Sequence, residues 1–62
     1  DDAEAVAAYR KALDIDWSPR LALETADFLR SLGRYDDAVA LYREVLDKDD
    51  GNEAAGARLV ST

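Results

Sequence analysis

The 62-residue chain contains no cysteine, no histidine and no methionine. Without cysteine there is no disulfide framework and no thiolate metal site, and without histidine the commonest general base and metal ligand is also gone. Carboxylates and hydroxyls remain, but there is no His or Cys to activate a nucleophile. The neighbouring acids Asp36-Asp37 and Asp49-Asp50 fall at helix ends, where capping and the helix dipole account for them. The reading is therefore non-enzymatic, with no catalytic residue, no cofactor and no metal ligand. Basic residues are scarce as well: 8 Lys and Arg stand against 14 Asp and Glu, for a net charge of -6 and a pI near 4.3. Such a surface repels a nucleic-acid backbone or an anionic membrane, so neither is an expected partner. No stretch approaches the ~20 apolar residues of a membrane span. Asp1 opens the sequence with no Met, no basic stretch and no apolar signal core. The expectation is a cytoplasmic piece, excised from a longer protein or engineered.

What the chain does have is 48% hydrophobic and 35% charged residues, the balance of a folded domain, at a size where one core barely offsets the entropy of ordering. Residues 1–31 and 32–62 each hold seven acids and four bases, so charge marks no domain boundary. There is no sustained alternation of the strand type, and Ala, Leu, Arg, Glu and Asp dominate. Spacing and punctuation predict four helices. In the first, about Ala3 to Ile15, Ala5, Val6, Tyr9, Ala12 and Leu13 form one apolar face. Ser18 offers a cap and Pro19 a first helical residue for a second helix running to Leu32, where Gly33 closes it. Leu21 or Ala22, Thr25, Ala26, Leu29 and Leu32 are its expected buried positions, flanked by Phe28. Tyr35 to Lys48 carries the stripe Ala38, Val39, Leu41, Tyr42, Val45 and Leu46. Asn52 caps a last helix from Glu53 to about Val60, weakened by Gly56.

Residues 5–16 laid over 38–49 show an internal repeat. Ala5, Val6, Ala7, Tyr9, Arg10, Leu13, Asp14 and Asp16 recur as Ala38, Val39, Ala40, Tyr42, Arg43, Leu46, Asp47 and Asp49, a shift of 33 residues. Two helices per period at this spacing mark a helical solenoid, so the fold class is all-α, built from antiparallel helix-turn-helix repeats.

From Pro19 to Asn52 the residues resemble the tetratricopeptide repeat, a helix pair of about 34 residues with small side chains where the two helices cross. Ala26 stands at the Gly/Ala position of helix A, Gly33 and Tyr35 at the turn, Ala38 at the small position opening helix B, and Tyr42 at the aromatic position. Val45 stands where a second small residue is usual, and Ala5, Tyr9 and Ala12 match helix B of a preceding repeat. The resemblance implies one module over 1–62, part of a superhelix: helix B of one repeat (1–16), a full repeat (19–52), and helix A or a cap of the next (53–62). Departures are plain too. Ala22 replaces the usual Trp, Thr25 the Leu and Leu29 the Tyr, while Asp50 holds the place of a helix-ending Pro.

The family takes its ligands on the concave face made by the A helices. Carried over, that face is Arg20, Leu23, Glu24, Asp27, Arg30 and Ser31, then Ala54, Ala57, Arg58 and Ser61. Members that clamp a chaperone's C-terminal carboxylate have Lys and Asn where this chain has Leu23 and Asp27, so that clamp is missing. Arginine forks here could meet acidic partner groups, or simply pair locally, as Asp27 with Arg30 one turn on. Two further features have ordinary readings. The acidic run from Asp47 fails as a calcium loop, having Asn52 where the sixth position needs Gly and Arg58 where the twelfth needs Glu. Trp17, the lone tryptophan, either covers the ends of neighbouring helices or anchors a partner.

Two functions follow. The first is a scaffold or adaptor that binds a peptide or protein on the helix A face. The second is self-assembly: Val6, Leu13, Leu59 and Val60 are expected to be partly uncovered at the ends of the array, where a homo-oligomer or another repeat could stack.

Overall fold

Each helix starts and stops where local chemistry provides for its end groups. Residues 1–61 are described by the computed structural model, as helices α1 (Asp2–Ile15), α2 (Pro19–Ser31), α3 (Tyr35–Lys48) and α4 (Glu53–Ser61). The Asp1 carboxylate accepts from the Ala3 N–H at 3.0 Å and opens α1. Ser18 Oγ accepts from the Leu21 N–H at 3.1 Å, with Pro19 in the first turn of α2, and Asn52 Oδ1 accepts from the Ala55 N–H at 3.0 Å to open α4. No side chain caps α3, whose first turn carries Asp36 and Asp37 instead.

Helix α2 stops at Ser31, with Leu32 as its C-cap. Gly33 follows at φ 81°. Its N–H donates to the Arg30 carbonyl and that of Arg34 to the Leu29 carbonyl, each at 3.0 Å. This pair of reversed hydrogen bonds satisfies the last carbonyls of the helix, and it needs the left-handed residue that glycine supplies without steric cost. Helices α2 and α3 make the most extensive packing, followed by α3 with α4 and α1 with α2, within a slab of 32 × 25 × 13 Å.

Two adjoining clusters form the core. Val6, Ala26, Leu29, Ala38 and Tyr42 make one, and Ala22, Val45 and Ala55 the other. Ala22, Ala26, Ala38 and Ala55 are fully buried, and their lack of side-chain bulk lets the helices approach closely. Of the alternatives Leu21 and Ala22, Ala22 is the buried one. Thr25, where the family usually has Leu, is buried with its hydroxyl donating to the Leu21 carbonyl at 2.8 Å, so its polar atom is satisfied within its own helix. Tyr9 is only half-buried and packs its ring on Phe28, centroids 5.3 Å apart.

One expectation is corrected. Val6 is 6% exposed, because it packs with the Ala26, Leu29 and Tyr42 cluster instead of facing solvent. Leu13 and Leu59 are half-buried against the core, and Val60 is open at 90% exposed. Trp17 covers helix ends: it packs against the Ala22, Val45 and Ala55 cluster, and Lys48 Nζ lies 5.0 Å from its ring centroid.

Candidate functional site

The regular helix of α2 sends Arg20, Leu23, Glu24, Asp27, Arg30 and Ser31 along one side at spacings of three and four residues. Helix α4 lies beside it and contributes Ala54 and Arg58. Two adjoining clefts result. One, of about 620 Å³, is lined by Pro19, Arg20, Leu23, Glu24 and Asp27 from α2 with Asn52, Ala54 and Arg58 from the α4 side. The other, of about 800 Å³, runs on past Arg30, Ser31 and Tyr35 to Ser61. Asp27 and Arg58 line both, so the two form one continuous groove.

At that junction Arg58 Nε donates to Asp27 Oδ1 at 2.8 Å, across 31 residues of sequence. The Tyr42 hydroxyl donates to the same oxygen at 2.5 Å. One carboxylate thus ties α2 to α3 and to α4. Asp27 pairs with Arg58 rather than with Arg30 one turn along, which corrects the local pairing read from sequence. The reason lies in the repeat: the caps Ser18 and Asn52 put Arg58 at the α4 position that Glu24 holds in α2, one turn from Asp27 on the neighbouring helix. Tyr42 is fully buried, and this burial, followed by the hydrogen bond to Asp27 and its negative charge, raises the phenol above its usual 10.0, with Arg30 acting in the opposite direction.

Nine of the ten residues assigned to the groove from sequence line it. Ala57 does not. It is exposed and lies on neither wall. Ser31 lines the groove, but its hydroxyl donates to the Phe28 carbonyl at 2.6 Å and so is engaged within α2. Sequence reasoning missed Pro19, Asn52 and Tyr35 as lining residues, because it treated them as caps and turns. It also read Tyr42 only as part of an apolar stripe and as the family's aromatic position. The available signal was the small Ala38 one turn earlier, which brings α3 close enough to α2 for the phenol to reach Asp27.

A family model of the tetratricopeptide repeat matches residues 19–62. The chain belongs to the tetratricopeptide repeat family. No curated protein and no solved structure matches it. The repeats of this family generally mediate protein–protein interaction, and in this tetratricopeptide repeat the groove is lined by apolar Pro19, Leu23 and Ala54 together with charged side chains. Among the described residues no acidic cluster has the arrangement to hold a metal ion, and no helix is long and apolar enough to cross a membrane.

Proposed function

We propose that the chain is a non-enzymatic interaction module that receives a peptide or protein segment in the groove between α2 and α4. The observation that carries this reading is the continuity of the groove, with the sequence-chosen side chains brought onto its walls from two successive A helices. Leu23, Pro19 and Ala54 offer apolar surface to bury, the main source of affinity. Arg20 is exposed at one end and Arg30 stands at the other, so acidic partner groups set register. The Asp27–Arg58 pair between them fixes the floor and serves as architecture.

The test is a selection from displayed peptides against the 62-residue chain, followed by mapping of backbone amide shifts on binding. Support is a perturbed surface running along Arg20–Ser31 and Ala54–Arg58, with Arg20→Ala and Leu23→Ser each weakening binding by about tenfold at unchanged helicity. Shifts confined to α1 and α3, or affinities untouched by both substitutions, would overturn it.

A further inference from the structure

A second cleft, sharing no residue with the α2/α4 groove, opens between α1 and α3 with a volume of about 820 Å³. Its apolar surface comes from Leu13, Leu41 and Trp17, each half-buried against the Ala22, Val45 and Ala55 cluster with its outer side left toward the cleft. Around them stand four exposed carboxylates, Asp14, Asp37, Glu44 and Asp47, against two guanidiniums, Arg10 and Arg43. The repeat explains part of this doubling, since Asp14 and Asp47, like Arg10 and Arg43, are the same position of successive units. The sole ion pair among the described residues is Asp27 with Arg58, so none of the four carboxylates is neutralised by a salt bridge. The residues that line the cleft therefore carry a net charge of -2, with Lys48 beside them over the Trp17 ring, whereas the α2/α4 groove has three arginines to two acids. Trp17 adds a second unmet requirement: its Nε1 is buried with no hydrogen-bond partner.

We propose that this cleft is a docking surface for a basic segment of a protein partner, one that seats a large apolar side chain on Leu13, Trp17 and Leu41 and sets lysine or arginine among the four carboxylates. Charge selects the occupant. An acidic peptide meets like charge on the α3 wall, where Asp37, Glu44 and Asp47 outnumber Arg43, and a second copy of this chain, at net charge -6, brings the same repulsion. The module then holds two partners of opposite character on two surfaces, and the α1/α3 cleft stands or falls independently of the α2/α4 groove.

Trp17 is the only tryptophan and lines the cleft, so its fluorescence reads occupancy directly. The probe is a short peptide alternating lysine with leucine, blocked at both ends, compared with its glutamate–leucine counterpart. The expected result is a saturable change in Trp17 emission with the lysine peptide alone. The double variant Asp14→Asn, Glu44→Gln should weaken it by about tenfold, while Arg20→Glu in the other groove leaves it unchanged. These neutral, near-isosteric replacements lie on exposed positions, and circular dichroism of each variant verifies that the helices persist. The proposal is overturned by no saturable change, by equal response to the glutamate peptide, or by affinity that survives the double variant or follows Arg20→Glu.

Discussion

Asp27 is a groove residue by position and a structural residue by its bonds. Its Oδ1 accepts from Tyr42 and Arg58 together, so Asp27→Ala leaves the hydroxyl of a fully buried tyrosine with no acceptor. That should cost about 1–3 kcal/mol of folding stability. Tyr42→Phe removes the donor itself, leaves Asp27 paired with Arg58, and should cost less, about 1 kcal/mol. Urea unfolding of the two variants checks the order, and equal losses would mean that leaving the buried hydroxyl without an acceptor adds no cost. The same bond sets a pH limit. Burial first, then the Asp27 hydrogen bond and charge, raise the Tyr42 phenol above 10.0, so the folded state holds the neutral form more tightly than the unfolded state does. Its contribution to stability is fully present below about pH 10 and is lost as pH rises through the folded-state pKa. An alkaline titration followed by tyrosinate absorbance should show one group titrating late, and Tyr42→Phe should remove that component. None of this network could be read from spacing within one helix. Asp27 and Arg58 lie 31 residues apart, and only the stacking of α4 beside α2 brings them together.

At the level of helices, much was legible because each end is written in adjacent residues. Ser18-Pro19, Gly33 and Asn52 do locally what their types allow, and no tertiary contact is needed to place them. The apolar stripe of α2 was legible for a similar reason, although the choice between Leu21 and Ala22 needed the neighbouring helix to settle it. Val6 shows where such reading stops. Its burial depends on how α2 packs beside α1, which no pattern within α1 encodes. The glycines turn this contrast into an experiment. A Cβ added at Gly33 or at Gly56 would meet no atom within 4 Å, so space does not distinguish the two. Backbone does. Gly33 sits at φ 81°, where alanine is strained, and Gly33→Ala should destabilise by about 1 kcal/mol. Gly56 lies inside α4 with no positive φ, and Gly56→Ala should stabilise by about 0.5–1 kcal/mol through the lower entropy of the unfolded chain. Thermal unfolding of both variants should move the midpoint in opposite directions, and a shift of the same sign in both would contradict the assignment of these two conformations.

For the molecule as a whole, the question is whether its uncovered apolar surface suffices to pair two copies. The folded chain exposes 4124 Å², against roughly 9,900 Å² for an unfolded chain of this mass, so a little under six-tenths of the surface is buried and stability is modest. A marginal fold of this kind gains from association if a contiguous apolar face is available. The face expected from sequence to be partly uncovered was Val6, Leu13, Leu59 and Val60; Val6 is buried, Leu13 and Leu59 keep only part of their surface open, and Val60 alone of the set is fully exposed. Ile15 at 76% and Tyr35 at 56% are the other open large side chains, one closing α1 and one opening α3. A stable interface needs about 600 Å² or more from each partner, built around a desolvated cluster, and three large side chains on three different helices do not supply one. Net charge acts in the same direction, since two copies at -6 repel at low ionic strength. We therefore expect one chain mass by light scattering across a concentration series, with helicity by circular dichroism that does not depend on concentration. Val60→Glu should change neither quantity. A mass that rises with concentration and falls back in Val60→Glu would instead make the end of α4 an assembly surface, and self-association would then displace groove binding as the leading function.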